Sequence, residues 1–580
     1  MGVPVMSLLL AAAAYTDMQF RWPLDLPRHL SGTLGEKRGK SLHQGIDIKT
    51  RGRTGYALYA IAPGRLTRLS SKETGYGNMI LINHEGYVSQ YAHMEAFEEG
   101  RFSLNSLAKL VKTLYGGENV DIKFNRSRIQ FRKGDVVGYS GESGSGPPHL
   151  HLALREAGGS VNALKLIPVP DSDIPEIRHL FVCIERNGTT VRERRVLVRG
   201  SRGRYNLEEE PLGLEEGERL FLKLSCHDTI SSRNKVAPYR IEMRENGSLL
   251  YRLTFDKILW KDYRYGRLIY DPSHPLIDGD TNYTYFLYRR EGNAFSGLET
   301  LNDGYLDTRP GKSRISISVA DIAGNTARLE FDAVKKKSTG GDPAAGYVQI
   351  SRRKRTVLSE PGGGFTVQIG PGALPGNCLV KAERLGRGEL ERRVLKITGS
   401  REGDISPLYA LHPFDVTYNR PVRISLRRPA GISPAEARGI LVYHLLDETY
   451  PSPLKTRYNR QRDAFEAVST SGGYFLVLRD KVAPGIYVPP VHNFAADDGA
   501  VRKIRLAIYD NLSGVSLRSM RCFVDGERYP FRYEGDRNWI ELALPKKRIG
   551  RGLHHVLVTF SDRAGNPSVF RSLLQFPEKD

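Results

Sequence analysis

Two histidines separated by a single leucine, His149-Leu150-His151, set the tightest constraint on how this chain folds. Alternate side chains of a β-strand point to opposite faces, so both imidazoles share one face while Leu150 points into a core. One imidazole of such a pair can bind a metal and leave the other free for a substrate. Alone, such a pair is more often incidental; what lies about a hundred residues upstream changes its weight. There His43-Gln44-Gly45-Ile46-Asp47 offers an imidazole and a carboxylate, both ligand types that zinc accepts. His43, Asp47 and one histidine of the later pair would make three protein ligands, the number catalytic zinc uses while keeping a fourth position for water. Zinc lowers the pKa of that water towards neutrality. A remaining histidine can then act as acid or base, or hold an oxyanion.

Three further segments follow in order: Gly75-Tyr76-Gly77-Asn78 running to His84, then Tyr91-Ala92-His93-Met94, then Gly134 to Gly141 leading into the histidine pair. With these, the chain resembles the zinc metallopeptidases of the lysostaphin and LytM type, peptidase family M23, over roughly residues 20–168. The resemblance implies an antiparallel β-sheet peptidase domain that cuts peptide bonds in bacterial cell walls, with Zn2+ as cofactor. It implies His43, Asp47 and His151 as zinc ligands, His149 as the catalytic histidine, and His93 as its companion facing the substrate. Some members of that family lack these residues and regulate other wall enzymes; this chain keeps all five. It departs from the family pattern at the doubled proline Pro147-Pro148 and at Met94 to Lys133, where the family has a short link. That segment carries a helical pattern (Leu104, Leu107, Leu110, Val111, Leu114) and a basic strand around Lys123 to Arg132. It reads as an inserted flap beside the groove.

The other histidines carry no ligand pattern. His84 precedes the turn signal Glu85-Gly86 and reads as a hydrogen-bonded structural residue. His29 follows Pro27-Arg28 and reads as exposed. His554 and His555 occupy opposite faces of one strand with no carboxylate or cysteine in ligand spacing. Tyr91 is either half buried with its hydroxyl near the groove or a core residue.

The chain has 580 residues, 40% hydrophobic and 26% charged, enough for about three to five domains. A net charge of +21 favours anionic partners. No aromatic-basic motif, zinc knuckle or helix-turn-helix pattern points to specific nucleic-acid binding. Peptidoglycan is the expected partner, with an anionic wall polymer or a division protein beside it. The four cysteines, Cys183, Cys226, Cys378 and Cys522, do not make a disulfide framework. Cys183 and Cys226 fall in one domain and are candidates to pair. Val5 to Ala14 resembles the apolar part of a signal peptide, without a preceding Lys or Arg. Ten apolar residues are too few to span a bilayer, so the chain reads as exported to the periplasm or cell envelope, with no transmembrane span.

Past Pro168 and Pro170 the chain turns into short runs of alternating or apolar residues separated by turns, the pattern of β-sandwich modules. The whole therefore reads as all-β. Ser313 to Val319 alternates; Leu220 to Leu224 is apolar on both faces; Asn246-Gly247 is a hairpin turn signal. Asp321-Ile322-Ala323-Gly324-Asn325 recurs as Asp562-Arg563-Ala564-Gly565-Asn566, each after a strand and each preceded by an aspartate, Asp228 or Asp510. This repeat resembles bacterial immunoglobulin-like domains and reads as a turn capped by Asp and Asn, with calcium the less favoured alternative. The expected order is a lead segment at 1–19, a peptidase domain at 20–170 with an insertion at 94–133, an immunoglobulin-like domain at 171–335, a ZU5-like β domain at 336–480, and an immunoglobulin-like domain at 481–580. Tyr263, Tyr265, Tyr270, Tyr283, Tyr285 and Tyr288 cluster in an insertion of the first module, as a glycan surface or as core. Three functions follow: a zinc endopeptidase hydrolysing peptidoglycan, a non-hydrolytic regulator or activator of cell-wall amidases, or a wall-binding surface protein.

Overall fold

The computed structural model describes residues 19–576 apart from 39–40, 73–74, 116–118, 126, 145, 187–188, 216–218, 231–233, 272–275, 278–279, 282, 308, 310, 337–343, 375–376, 387–391, 393, 397–404, 414–416, 438, 446–450, 489–494, 499–500, 535–537 and 551. The signal-like stretch Val5 to Ala14 lies outside the described residues. Strands make up 54% and helices 6%, so the chain is all-β, as its patterning predicts. Among the described residues no helix is long and apolar enough to cross a membrane. The chain divides into two compact units, 1–185 with 192–341, and 186–191 with 342–580.

The first unit opens with an antiparallel sheet ordered Leu30–Gly32, Ile46–Lys49, His149–Glu156, Val88–Phe97, Asn78–Asn83, Gly64–Ser71, Gln130–Phe131. Alternation sorts its faces. Leu150, Leu152 and Leu154 join Ile46, Ile48, Leu66, Ile80 and Ile82 in a buried apolar cluster, which leaves His149 and His151 on the other face. Tyr91 belongs to that core: it is fully buried, and its hydroxyl donates to the Tyr59 carbonyl at 3.0 Å and accepts from the Ile61 amide at 2.9 Å.

The helical pattern in the insertion is a helix, Leu104–Tyr115. Leu104, Ala108 and Val111, one stripe at helical spacing, pack on the same cluster as Leu150 and Leu152, while Leu110 and Leu114 face outward. Val120–Lys123 and Gln130–Phe131 pair with Gly64–Ser71 at the sheet edge furthest from Ile46–Lys49. The insertion thus builds core and widens the sheet, and is not a flap beside the histidines. The physical reason is its own apolar stripe, which only the core face can bury.

From Glu176 to Lys336 twelve strands connect into one sheet, while Lys257–Leu259 joins the preceding sheet and Leu276–Ile277 pairs separately with Asp280–Thr281. Arg204–Leu207 makes the connection, pairing antiparallel with Thr189–Ser201 on one edge and parallel with Thr326–Lys336 on the other. Local signals hold. Arg219–Thr229 is buried along nine consecutive residues, Gly311–Ala320 alternates, and Asn246 and Gly247 adopt the positive φ of +48° and +84° that a tight hairpin needs. None of the four cysteines forms a disulfide, and all are buried. Cys183 faces Phe221 and Cys226 faces Ile177 across one strand pair, a register that holds the two sulfurs apart. Of the tyrosine cluster, Tyr270, Tyr285 and Tyr288 are buried and only Tyr263 is prominently exposed, so the cluster is mainly core. In the second unit, two pairs of sheets enclose separate apolar cores. One holds Phe365, Val367, Ile424 and Val477; the other holds Leu506, Leu542, Val558 and Phe560.

The sheet after residue 171 buttresses the loop leading to His43. The Tyr270 hydroxyl donates to the Gly35 carbonyl at 2.8 Å. Gly35 has φ +90° and sits so close to Phe255 that a Cβ would meet that ring at 2.3 Å. The Gly35 amide in turn donates to the His43 carbonyl at 2.9 Å. Replacing Tyr270→Phe leaves a buried carbonyl without its donor and is expected to cost about 1–3 kcal/mol locally. Hydrogen exchange at the Gly35 and His43 amides checks this; unchanged protection would show that the buttress does not hold the loop.

Candidate metal centre

Asp47 and His151 meet because their strands are paired in one register: His151 stands directly opposite Asp47 across the ladder, with Ala92 opposite on its other side. His43 lies four residues before Asp47, at the end of the turn that feeds Ile46–Lys49. Its Nε2 lies 3.0 Å from His151 Nδ1 and 3.1 Å from Asp47 Oδ1, and His151 Nδ1 lies 3.0 Å from the same oxygen. All three side chains are buried. A tetrahedral zinc with bonds of about 2.0–2.1 Å sets its ligand atoms about 3.3 Å apart, so the triangle fits one zinc ion with a small expansion.

The hydrogen bonds around the triangle fix which atoms are available. A carbonyl only accepts, so the bond of 2.8 Å between His43 Nδ1 and the Thr33 carbonyl puts the proton on Nδ1 and a lone pair on Nε2. Arg38 holds the other Asp47 oxygen, Oδ2, at 2.6 Å and braces itself on the buried Glu36 at 2.7 Å. That leaves Oδ1 for the triangle. Nothing about Arg38 stands out in the sequence; the only signal was a basic residue a few positions before His43. The motif glycine has a steric role. A Cβ at Gly45 would lie 2.5 Å from the Leu152 carbonyl and 2.9 Å from His151 Cε1, because the His151 ring packs flat over it.

His149 and His93 stand together beside the triangle, their rings 4.6 Å apart. His149 Nε2 lies 3.7 Å from Asp47 Oδ1. His149 Nδ1 bonds the Pro147 carbonyl at 2.7 Å and His93 Nδ1 bonds the Ser143 carbonyl at 2.9 Å, so both present Nε2 as a lone pair. His93 gets there by a backbone device that sequence does not reveal. Its φ is +61°, rare for a residue with a branched ring, and the ladder with Asn78–Asn83 is irregular there, Tyr91 facing Ile80 but Met94 facing Asn78. Such a bulge re-aims one side chain. Tyr76, not singled out from the sequence, closes the rim. Its ring lies 5.2 Å from His151 and 6.2 Å from His93, and its carbonyl accepts the His93 amide at 3.0 Å. The structure therefore brings all five predicted residues together.

Burial and neighbouring charges act differently on three of the imidazoles. Burial, with the neighbouring His149, pushes His93 down to about 4; burial, against the Asp47 hydrogen bond, pushes His151 down to about 3. Burial also pulls on His43, but the Asp47 carboxylate outweighs it and the net direction is up. Burial would raise Asp47, yet His43 and His151 hold it well below the usual carboxylate range. His84 and His29 are as expected, whereas His554 is not. His84 is buried between the Pro63 carbonyl at 2.8 Å and the Ser89 hydroxyl at 2.7 Å, and burial lowers it. His29 is exposed. His554 does meet a carboxylate, Asp525 at 2.6 Å, brought there by folding from 29 residues away.

Comparison with known proteins agrees with this geometry. Residues 41–102 match the model of Peptidase family M23. The murein hydrolase activator NlpD of Salmonella dublin is 30% identical over 152 residues, which is 26% of this chain and 31% of that protein. The protein of the same name from Escherichia coli K12 is 29% identical over 150 residues, again 26% and 31%. The chain thus spans about a third of the length of the curated relatives it matches. Among solved structures, Csd3 from Helicobacter pylori shares 21% identity over 27% of this chain and 34% of that one, with a TM-score of 0.17, too low to carry an argument.

Two outcomes are expected. Gly45→Ala should fold yet displace His151 and weaken zinc binding by about 10–100-fold, the size seen when groups that orient a ligand are lost; zinc titration of the variant measures it, and wild-type affinity would exclude the steric role. In metal-free protein, the depressed His84, His93 and His151 bind protons less readily folded than unfolded. Their contribution is present above about pH 6.5 and is lost as pH falls toward about 4; His43, raised, acts in the opposite sense and only above about pH 6.5, so it does not offset that loss. Exchange at the Leu150 and Leu152 amides, corrected for intrinsic rates, should quicken from pH 7 to pH 5. Equal protection would contradict it.

Proposed function

We propose that residues 20–168 act as a zinc-dependent endopeptidase on peptide bonds of bacterial peptidoglycan, in a protein exported to the periplasm or cell envelope. What carries this reading is the triangle of His43 Nε2, Asp47 Oδ1 and His151 Nδ1, about 3 Å on each side, with the imidazoles of His149 and His93 beside it. His43, Asp47 and His151 would hold the zinc, which supplies Lewis-acid activation of water and of the scissile carbonyl. His149, its Nδ1 tied to Pro147, is placed to take a proton at Nε2 as water attacks and to return it to the leaving amine. His93, held by Ser143 and by the bulge, is placed to donate to the developing oxyanion once its Nε2 is protonated, or to share the proton with His149. Arg38 would keep Asp47 monodentate. The positive charge of the whole chain, +21, suits a wall polymer rich in anionic groups. The later modules we read as immunoglobulin-like at 171–335 and 481–580 and ZU5-like at 336–480.

A second reading rests on the relatives, two of which are named as murein hydrolase activators. On it, the domain engages the wall or a wall amidase and stimulates cleavage by the partner. The two readings part at His149, which an activator does not need. On the peptidase reading, purified protein carries zinc and releases peptides from sacculi. His149→Ala keeps zinc and loses about 10²-fold or more of the rate, and Asp47→Ala loses both. If zinc-loaded wild type releases nothing by itself, while wild type and His149→Ala equally stimulate a separate murein hydrolase, the activator reading replaces it.

A further inference from the structure

The repeated Asp-x-Ala-Gly-Asn segment leaves two clusters that the peptidase site does not use. Asp171, Asp228 and Asp321 come together in the first unit, and Asp480, Asp510 and Asp562 in the second, each with ligand oxygens within 4.8 Å of one another. The members correspond one to one. Asp171 and Asp480 lie on the chain entering a module, just after the preceding domain. Asp228 lies at the end of the strand Arg219–Thr229 and Asp510 just after the strand Val501–Tyr509, each early in its module. Asp321 and Asp562 open the repeated loop near its end.

The loops are built alike. Asp321 accepts the amides of Gly324 at 2.7 Å and Asn325 at 2.8 Å, and the Asn325 side chain donates to Asp321 Oδ2 at 2.7 Å and to the Asp171 carbonyl at 3.4 Å. Asp562 accepts the Asn566 amide at 2.8 Å, and the Asn566 side chain donates to Asp562 Oδ2 at 2.6 Å and to the Asp480 carbonyl at 3.2 Å. Those bonds account for the capped turn. They do not account for every carboxylate oxygen of the clusters. Asp228 is 1% exposed, and its Oδ1 is buried with no hydrogen-bond partner; Asp171 Oδ2 and Asp510 Oδ1 are likewise buried without one. In the second cluster the fully buried hydroxyl of Tyr443 also lacks a partner. Burial and then the carboxylates of Asp480, Asp510 and Asp562 all push that hydroxyl up. Burial, followed by Asp321 and Asp171, pushes Asp228 up to about 9, so ionising all three carboxylates requires a countercharge.

We propose that each tri-aspartate cluster is a calcium site that ties the chain entering a β-module to the Asp-x-Ala-Gly-Asn loop of that module. Two oxygens on one calcium at about 2.4 Å lie at most about 4.8 Å apart, which both clusters satisfy. An all-oxygen donor set selects a hard cation and separates these sites from the imidazole-bearing zinc triangle. Their position says what they would do. Ile322 of the first loop packs against the peptidase core, which also takes in Ile230 and Val236 of the module. Leu512, two residues after Asp510, packs in a cluster with Leu445, Leu476 and Leu478 of the preceding sheets, and a Cβ at Gly439 would lie 2.3 Å from the Ala564 carbonyl. In each unit the cation would sit at the junction of two domains and stiffen it.

The test uses full-length, zinc-loaded protein passed over a calcium-chelating resin and dialysed against radioactive calcium up to the millimolar range, where extracellular modules bind. The expected result is about two saturable calcium ions per chain, about one in Asp228→Asn and in Asp510→Asn, and none in the double variant, with zinc content unchanged throughout. Calcium should also slow amide exchange around 171–173 and 480–482 in wild type. Wild type that binds no calcium overturns the proposal without reference to any variant, as does a double variant that still binds two.

Discussion

The register between Ile46–Lys49 and His149–Glu156 is the constraint on which the site depends. It sets Asp47 opposite His151. A slip by one residue would send His151 to the apolar face and Leu150 to the polar one. The burial of Leu150, Leu152 and Leu154 in one core therefore fixes the position of the candidate ligand atoms. Neighbouring devices refine what the register sets: Gly45 makes room for the His151 ring, Arg38 occupies one Asp47 oxygen, and the bulge at His93 turns its imidazole toward His149.

The site is not supported by the peptidase sheet alone. Tyr270 and Phe255, both beyond residue 171, hold the loop that carries Gly35 and Glu36 and so bear on His43. Residues Gly159–Val161 of the peptidase sheet also pair with Lys257–Leu259. The first β-module is therefore part of the scaffold of the site, which gives the accessory sequence a structural reason to be there. The two aspartate clusters fit the same theme, since each lies where one domain hands the chain to the next.

Sequence reasoning succeeded where chemistry and period coincide in a short stretch. The His149-Leu150-His151 alternation, the helical stripe from Leu104, the Asn246-Gly247 hairpin and the twice-written Asp-x-Ala-Gly-Asn turn are all local patterns, and each appears as read. It failed where the answer depends on what a segment packs against. The insertion at 94–133 carried its own apolar stripe and went to the core, not to the groove. Tyr270, Tyr285 and Tyr288 were ambiguous as residues and became core because a sheet covers them. The His554 carboxylate partner is separated by a hairpin and a strand, and no spacing rule reaches it.

What the sequence by itself determined is the all-β class, the five candidate residues His43, Asp47, His93, His149 and His151, and the repeated aspartate loops, because each is written as residue type and spacing along the chain. What only the tertiary structure decided is that three of those groups converge within about 3 Å, that Arg38 and Tyr76 complete their surroundings, and that Asp171 and Asp480 join aspartates lying dozens of residues away. Those relations are set by strand register and domain packing, which sum weak contributions from many distant residues and leave no local mark in the sequence.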